Sequence, residues 1–504
     1  MSAIQSIDAR TGLLRSEHPE TTRRELDEVC RRAQLSSAEW SVTSRRERAA
    51  LLRAMSGALL DSAEELAAVA DSETALGKPR LVGEVGRTAY QLRFFGDVLE
   101  DGGYLEATID HAGESDIGPV PDLRRILQAV GPVAVFGASN FPFAFSTLGG
   151  DTASALAAGC AVVVKAHPSH PETSIATMKA IRVPLAELGV PADIIQIVHG
   201  QEAGRHLVAH PAVRAVGFTG SVAGGAALAR VAHSRSDPIP FYGELGSVNP
   251  LIVTPRAAAE RGMDIGQGFA ESFSLGAGQF CTKPGLAFIP AGAAGDELAS
   301  AAARTVSKMS GSHLLNAGIR DAYTLGVLQM GGLPNVSVVA EGSSGGRAVP
   351  HMLLSMTSTT FRSTNLEECF GPVALMVRYD HIDDLLDCLH LLAGSLAAAL
   401  HAGEQEDVRG LSSALSEKVG RVVFDGWPTG VAVSWAMEHG GPWPATNSLH
   451  TSVGSTAIRR FVRPISFQNA PEAVLPPELR DGEVTVPTRI NGTMVLPVIA
   501  PRSA

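Results

Sequence analysis

Residues 161–200, AVVVKAHPSHPETSIATMKAIRVPLAELGVPADIIQIVHG, contain a strand–helix–strand pattern. The Val-rich run AVVVK predicts a short buried strand, PETSIATMKAIRVPLAELG predicts a helix, and IIQIVHG predicts a second strand. Further strands are predicted in AVRAVGFTGS (212–221), NPLIVTP (249–255) and GLAFIP (285–290). Short apolar strands separated by helices are typical of a parallel sheet covered on both faces. The predicted fold class is therefore α/β, with a doubly wound parallel sheet.

The sequence pattern is different on the N-terminal and the C-terminal side of this region. Residues 19–98 carry apolar residues at three- and four-residue spacing between charged faces, which predicts helices. The stretch RRILQAVGPVAVF (124–136) is β-like, and so is AIRRFVRPISFQNAP (457–471). A polar, proline-containing segment, residues 472–504, follows and predicts a C-terminal extension without an assigned role.

Bulk properties limit the class of protein. A chain of 504 residues is too long for one compact core, so two or three domains are expected. The net charge of −11 argues against nucleic acid or an anionic membrane as the main partner. The start, MSAIQSIDARTGLL, lacks a basic-then-apolar signal, and no apolar run reaches about eighteen residues. We therefore expect a cytoplasmic location.

The five cysteines are scattered and show no C-x-x-C spacing. This argues against a disulfide framework or a zinc ribbon and fits a reducing compartment; no metal site is expected. We interpret four of them as packing residues, namely Cys30, Cys160, Cys369 and Cys388. The fifth, Cys281, lies between glycine and proline breakers and beside a lysine in GQFCTKPG (278–285), so it is a candidate for a reactive thiol.

Other chemically useful side chains lie at predicted strand ends or in tight turns. The stretches are VAVFGASNFPFAF (133–145) with Asn140, VVVKAHPSHP (162–171) with Lys165, GFTGSVAGG (217–225) at a helix start, and FYGELGSVNP (241–250) with Glu244. Ligands of open α/β sheets bind at the carboxyl ends of the strands. Glycines followed by a helix start allow a phosphate to approach the backbone. Each stretch alone is a weak signal, because strand-end lysines and loop glutamates are usually solvated.

Together and in this order the stretches resemble a known family. The motifs SNFPFAF, VVVKAHP, FTGSVAGG, ELGSVNP, GQFC and EECFGPV (367–373) resemble those of the NAD(P)-dependent aldehyde dehydrogenase superfamily, across roughly residues 15–471. FCTKPG, KAHPSHP and PTGVAVSWAMEHGGPWPATNS (428–448) resemble one branch of that family. The branch contains α-ketoglutarate-semialdehyde (2,5-dioxovalerate) dehydrogenases and NADP-preferring fatty-aldehyde dehydrogenases. The serine in ELGSVNP, where most of the superfamily has glycine, is a departure.

The resemblance implies a role for each matched residue in the chemistry. Cys281 would attack the aldehyde and form a thiohemiacetal and then a thioester. The side-chain amide of Asn140, with the backbone N–H of Cys281, would stabilise the alkoxide. Glu244 would activate water to hydrolyse the thioester. The histidines of KAHPSH and EHGG have no metal-ligand spacing around them, and we expect them either to make local hydrogen bonds or to support residues that carry the chemistry.

The resemblance also implies cofactor contacts. The matching positions are Lys165 for the adenine ribose, Thr219, Gly220, Ser221 and Gly225 for the pyrophosphate, Glu368 for the nicotinamide ribose, and Phe370 beside it. NAD-specific members often carry a glutamate three residues after the lysine, and Pro168 occupies that position here. Lys165, His167, Ser169 and Arg205 would instead surround a 2′-phosphate. The expected cofactor is NADP, or both NADP and NAD.

The aldehyde is less defined by the sequence. The family's substrate tunnel corresponds here to Phe141, Ala144, Phe145 and Leu148, with Arg87 and the 435–443 stretch, including Trp443, as further candidates. Aromatic and small residues suit an apolar chain, whereas Arg87 would suit a distal carboxylate. An ω-carboxy or keto-acid semialdehyde such as α-ketoglutarate semialdehyde is the first hypothesis, and a medium- or long-chain aliphatic aldehyde is the alternative.

Two further alternatives remain open. A CoA-acylating aldehyde dehydrogenase generally lacks the water-activating glutamate, and Glu244 is present here. A catalytically silent binding relative would have lost the cysteine or the glutamate, and neither is lost.

The resemblance finally implies a division of the chain. Residues 1–110 with 131–240 form the dinucleotide-binding domain, and residues 241–455 form the catalytic domain. Residues 111–130 with 456–471 form a small β arm that pairs subunits by extending a sheet. An exposed strand of this kind needs a partner, so we expect a homodimer or homotetramer.

Overall fold

The computed structural model of the protein describes residues 3–364 and 366–497. Its first elements are β1 Ala3–Ile7, β2 Leu14–Pro19, α1 Arg23–Ser41, α2 Arg45–Asp61, α3 Ala63–Thr74, α4 Lys78–Asp101, β3 Thr108–Asp110, β4 Gly113–Ser115, β5 Gly118–Val120 and β6 Leu123–Ala129. Helices therefore occupy residues 23–101, as the apolar spacing predicts. Thr22 and Ser44 cap α1 and α2, each within a capping box that pairs the cap with the glutamate three residues later. The β1–β2 ribbon has no counterpart in the sequence-based prediction.

A five-stranded parallel sheet follows. Its elements are β7 Val133–Phe136, α5 Gly150–Ala158, β8 Val162–Lys165, α6 Pro171–Ala180, α7 Arg182–Glu187, β9 Ile195–Val198, α8 Gln201–Ala209, β10 Ala215–Thr219, α9 Val222–His233 and β11 Phe241–Glu244. The strand order is β11-β10-β7-β8-β9, and every pair is parallel. Strand order reverses beside β7, and ligands of open α/β sheets bind at such a point.

A seven-stranded sheet comes next. Its elements are β12 Pro250–Val253, α10 Pro255–Ser274, β13 Leu286–Pro290, α11 Ala293–Val306, α12 Ala317–Gly331, β14 Ser337–Glu341, β15 Met352–Thr357, α13 Ser358–Arg362, β16 Val373–Tyr379, α14 Ile382–Leu391, β17 Ser395–His401, α15 Arg409–Ser416 and β18 Val419–Phe424. The strand order is β14-β15-β16-β13-β12-β17-β18, with only the β14–β15 pair antiparallel. Two mainly parallel sheets with helices agree with the predicted α/β class.

A third sheet joins distant parts of the chain in the order β19-β6-β3-β20-β21. Its late strands are β19 Val462–Gln468, β20 Thr488–Ile490 and β21 Thr493–Val495. Strands β6 and β19, which belong to the two segments of the predicted arm, pair antiparallel along seven residues, and β19 lies at the edge of the sheet. The segment 472–497, for which the sequence predicts no role, supplies β20 and β21 and buries Leu475 and Leu479. The domain boundaries themselves stay a prediction.

The strand-end candidates of the first half of the chain lie at the carboxyl ends of β7, β8, β10 and β11. Glu244 is the last residue of β11, and Asn140 follows β7. Cys281 comes from the second half, between α10 and β13. Among residues 3–364 and 366–497, no helix has the length and apolar character needed to cross a membrane.

Candidate active site

The loop before Cys281 has an unusual backbone. Gly276, Ala277 and Gly278 all have positive φ angles, of 58°, 58° and 65°. A side chain on Gly278 would overlap the carbonyl oxygen of Gly371, so glycine is required there for both its φ and its lack of a Cβ. This turn ends α10 abruptly and presents Cys281, whose side chain is half-buried, next to the end of the five-stranded sheet.

Cys281, His439 and Glu244 lie side by side. The Sγ of Cys281 is 3.6 Å from Nε2 of His439, and the same Nε2 is 3.0 Å from Oε1 of Glu244. One ligand-type atom from each residue lies within 4.8 Å of the other two. His439 and Glu244 are both almost fully buried, each with a side chain about 1% exposed. A nucleophile, an imidazole and a carboxylate are therefore in one group.

Glu244 is held as an anion. Burial alone would raise the pKa of this carboxyl, but the charge and hydrogen bond of His439 lower the pKa to about 2, with help from Ser452 and Arg460. The Ser452 hydroxyl donates to Oε2 of Glu244 at 2.6 Å. Because Glu244 is ionised at neutral pH, its carboxylate accepts the hydrogen bond from Nε2–H of His439. This N–H is therefore not available to the sulfur of Cys281.

The Cys281 thiol is protonated in this resting arrangement. Burial raises its pKa well above the ordinary value, and the charge of Glu244 raises the pKa further. The guanidinium of Arg87 acts in the opposite direction. The geometry thus places an anionic base beside a thiol that loses its proton only when a base takes it.

Asn140 is next to the nucleophile loop. Its Nδ2 donates to the carbonyl oxygen of Gln279 at 2.9 Å, and its own carbonyl accepts from Nη2 of Arg80 at 2.8 Å. The Asn249 side chain supports the same loop from the other side and donates to the carbonyls of Cys281 and Lys283. The Asn140 amide is therefore anchored two residues before Cys281 in the chain, within the loop that carries the sulfur.

The sequence did not single out Lys283 for a role of its own. Its buried Nζ donates to the carbonyl oxygens of Cys369, Gly371 and Val373, at 2.7, 3.0 and 3.1 Å. Burial lowers the pKa of this ammonium group. Lys283 thereby ties the nucleophile loop to the segment that carries Glu368. Nothing in local periodicity predicts such a contact.

The residues expected to contact a dinucleotide lie along the carboxyl edge of the first sheet. Lys165 ends β8, and burial lowers its pKa to about 8. Thr219 ends β10, the Gly220 N–H donates to the Glu244 carbonyl, and Ser221 caps α9 by accepting from Gly224. A side chain on Gly225 would overlap Leu245. The first N–H groups of α9 have no partners within the helix, so they face an anion-binding position.

Glu368 and Phe370 lie on the other side of this edge. Oε2 of Glu368 accepts from the backbone N–H of Ser247 at 3.2 Å, and burial raises the pKa of Glu368 to about 7, against the lowering effect of Lys283. Phe370 is half-buried. The strand-end lysine, the helix N-terminus and the half-buried carboxylate of Glu368 together fit a nucleotide cofactor that lies across the ends of both sheets.

The residues predicted to surround a 2′-phosphate are not all brought together. Nδ1 of His167 accepts from the Ser169 N–H, and the Ser169 hydroxyl accepts from Asn316 at 2.8 Å. His167 and Ser169 line a cavity of about 530 Å³. The Arg205 guanidinium binds Glu202 on the exposed face of α8, at 3.1 Å, instead of these residues. Its contact with a 2′-phosphate stays a prediction.

The predicted substrate residues form an aromatic group in part. Phe141 packs against Phe145 and Phe280 with ring centroids 5.4 and 5.1 Å apart, and the Phe145 ring is 6.0 Å from that of His439. Arg87 lies over Phe145, with 5.2 Å from its guanidinium carbon to the ring centroid. The neighbouring candidates Ala144 and Leu148 are fully buried.

Trp443 is not part of this aromatic group. Its side chain is 57% exposed, and its described bond is from the Gly394 N–H to its carbonyl. The other tryptophan of that stretch, Trp435, packs edge-on against Phe94 of α4. The role of Trp443 in substrate binding stays a prediction.

Comparison with known proteins identifies the family. The model of the aldehyde dehydrogenase family matches residues 2–443. The chain is 43% identical to alpha-ketoglutaric semialdehyde dehydrogenase 2 of Azospirillum brasilense, covering 86% of this chain and 87% of that relative. It is 40% identical to the alpha-ketoglutaric semialdehyde dehydrogenase of Acinetobacter baylyi, covering 97% and 95% of the two chains. An aldehyde dehydrogenase structure from Brucella melitensis superposes with a TM-score of 0.77 at 21% identity, over 93% of this chain and 94% of that one. The chain belongs to the aldehyde dehydrogenase family.

Proposed function

We propose that this aldehyde dehydrogenase oxidises a keto-acid semialdehyde, with α-ketoglutarate semialdehyde as the leading substrate and 2-oxoglutarate as its product. The observation that carries the proposal is the grouping of Cys281, His439 and Glu244 beside the Asn140 amide. The substrate class is supported by the names of the two relatives that are 43% and 40% identical.

In the first step the sulfur of Cys281 attacks the aldehyde carbon, and a thiohemiacetal forms. Because the Cys281 pKa is raised, the thiol proton must pass to a base as the bond forms. The ionised Glu244 carboxylate lies within reach for this transfer, and His439 holds its Oε1. The Asn140 side-chain amide and the Cys281 backbone N–H are the donors that would stabilise the developing alkoxide.

The cofactor, when bound, supplies the oxidant that accepts a hydride and turns the thiohemiacetal into a thioester. Lys165, the N-terminus of α9 and Glu368 are the groups that would hold it. We infer NADP, or both NADP and NAD, because Pro168 replaces a carboxylate that would repel a 2′-phosphate. Burial lowers the pKa of Lys165 and the charge of Glu20 partly opposes this effect.

In the last step water hydrolyses the thioester. Once Glu244 has released the thiol proton to solvent, it removes a proton from this water; Cys281 then leaves as the thiolate and takes that proton back. The presence of this buried carboxylate supports release of a free acid rather than transfer of the acyl group to coenzyme A.

Initial-rate kinetics test the proposal. We expect kcat/KM for α-ketoglutarate semialdehyde to exceed that for straight-chain aldehydes of five to twelve carbons, with both NADP and NAD accepted and NADP preferred. Chromatography of the products should show 2-oxoglutarate whether or not coenzyme A is present. A higher kcat/KM for the long aldehydes would favour the fatty-aldehyde alternative, and formation of an acyl-CoA would favour the acylating alternative.

We also propose that the protein is a homodimer or homotetramer formed through β19. This seven-residue strand is the edge of its sheet, and its side chains are mostly exposed or half-buried. An edge strand presents unpaired backbone groups that a second copy can bind. Light scattering coupled to gel filtration tests this, and Ser466→Pro, at a position of β19 whose N–H points away from β6, should yield monomers.

A further inference from the structure

Two half-buried arginines from distant parts of the chain converge on one loop. Arg87 lies in α4 and Arg421 in β18. Nη2 of Arg87 donates to the Val431 carbonyl at 3.3 Å, and Nη2 of Arg421 donates to the Pro428 carbonyl. The same loop, residues 428–431, contacts the nucleophile segment, because the Gly430 N–H donates to the hydroxyl of Thr282 at 3.1 Å.

Each guanidinium has a nitrogen that is buried and lacks a hydrogen-bond partner within the described residues. These atoms are Nη1 of Arg87 and Nε of Arg421. Buried polar groups are nearly always hydrogen-bonded, so two buried nitrogen atoms without a hydrogen-bond partner need an explanation. Neither arginine forms an ion pair in the part of the chain that the structure describes. The charge of Glu84 reaches Arg87, but Oε1 of Glu84 accepts from the N–H groups of Phe143 and Ala144.

Both guanidiniums are close enough to the nucleophile to interact with it. A charged Cys281 sulfur raises the pKa of Arg87 and of Arg421, in each case against the lowering effect of burial. An arginine keeps its proton in proteins, so both sites stay cationic. Two half-buried cations that form no ion pair among the described residues are costly, and an anionic ligand would offset that cost.

We propose that Arg87 and Arg421 together bind the carboxylate end of the aldehyde substrate. This inference rests on the proposed oxidation of a keto-acid semialdehyde and assigns its recognition to two residues. The buried Nη1 of Arg87 and Nε of Arg421 donate to the carboxylate and 2-oxo oxygens, while the aldehyde carbon points to Cys281. Guanidinium groups suit this task because their N–H groups match the geometry of a carboxylate. The Phe145 ring packs against the Arg87 guanidinium and limits the directions it can take.

Paired substrates separate this role from a structural one. The variants Arg87→Met and Arg421→Met keep side-chain length and remove the charge. Each should lower kcat/KM for α-ketoglutarate semialdehyde about 10- to 100-fold, since a hydrogen bond to a charged group is lost. The value for pentanal, which has five carbons and no carboxylate, should fall by a clearly smaller factor than the value for the semialdehyde, because only the effect of the lost charge on Cys281 applies to it. Arg409→Met, at an exposed arginine paired with Asp407, should change neither.

A binding measurement without turnover completes the test. Calorimetric titration of the cofactor-free enzyme with 2-oxoglutarate should show a Kd raised about 10- to 100-fold in each variant. Arg421→Lys should recover part of the affinity, which checks that loss of charge rather than misfolding is measured. Equal losses for the semialdehyde and pentanal, or unchanged binding of 2-oxoglutarate, would overturn the proposal. If the wild type itself prefers pentanal and does not bind 2-oxoglutarate, the proposed function fails, independently of the variants.

Discussion

Glu244→Gln should make the nucleophile more reactive while it slows the enzyme. Glutamine keeps the shape of the side chain and can still accept from His439, so the main change is the loss of one negative charge. Burial makes the largest contribution to the raised pKa of Cys281, and the charge of Glu244 makes the next largest. The variant should therefore lower the pKa of the Cys281 thiol. A thiolate should be present at lower pH than in the wild type.

The magnitude follows from the distance. The Glu244 oxygen and the Cys281 sulfur lie within 4.8 Å of each other. At an effective dielectric constant of about 20, two unit charges at that separation repel by about 3.5 kcal/mol, which corresponds to roughly a 300-fold larger fraction of thiolate. A less basic thiolate is a weaker nucleophile, which cancels about half of this gain on a logarithmic scale. The net expectation is alkylation about 20-fold faster at pH 7.

The assay is the rate of inactivation by iodoacetamide between pH 6 and 10, measured on enzyme without cofactor. With p-nitrophenyl acetate, the variant should still release about one nitrophenol per site in a burst, but later turnover should fall about 10²- to 10⁴-fold because the base for hydrolysis is absent. Glu271→Gln, at an exposed carboxylate bonded to Gln267, serves as control. If the pH dependence of the alkylation rate is the same as in the wild type, or is shifted to higher pH, the electrostatic reasoning is refuted.

Three further predictions concern the same loops. Asn140→Ala should lower kcat/KM for the aldehyde about 10²- to 10³-fold in initial-rate assays, and an unchanged value would exclude the amide as an oxyanion donor. Gly278→Ala should lower the free energy of unfolding by more than about 1 kcal/mol in denaturant titrations, because the added Cβ would overlap Gly371 and the residue has a positive φ. As the control, Gly83→Ala in α4, where a Cβ meets open space, should raise the free energy of unfolding by about 0.5–1 kcal/mol. Lys283→Met should lower the free energy of unfolding by about 3 kcal/mol or more, because three buried carbonyls lose their donor. Calorimetry should also show weaker cofactor binding. Stability equal to wild type would contradict the role given to Lys283.

The parts of the fold with strong local signals were predictable. Runs such as VVVK are buried strands because β-branched residues pack well between two helical layers, and α1 and α2 begin at capping boxes. The β1–β2 ribbon and the strands β20 and β21 were not predicted. They are short, carry polar residues and depend on pairing with partners elsewhere in the chain, which no local periodicity encodes.

The candidate site shows the same division. Asn140, Lys165 and Glu244 were accessible to prediction because each lies at or just after the end of a strand, where parallel sheets place their ligands. The histidine of EHGG was expected to make local hydrogen bonds or to support residues that carry the chemistry, but the sequence could not name the partners of His439, Cys281 and Glu244, which lie 158 and 195 positions away. Lys283, which is buried, and Arg421, which is half-buried, have roles that depend on contacts between distant segments. Arg205 was predicted to contact the cofactor, but its guanidinium forms a salt bridge with Glu202 of the same helix.

The third sheet has a consequence for synthesis of the protein on the ribosome. Strand β6 is complete at residue 129, but its neighbour β19 begins only at residue 462, which is 462 − 129 = 333 positions later. At translation rates of 5–20 residues per second, β6 waits roughly 20–70 s with one backbone edge open. Incomplete chains therefore expose a strand edge of the kind that drives aggregation, and nascent chains stalled before β19 should depend on chaperones more than full-length ones.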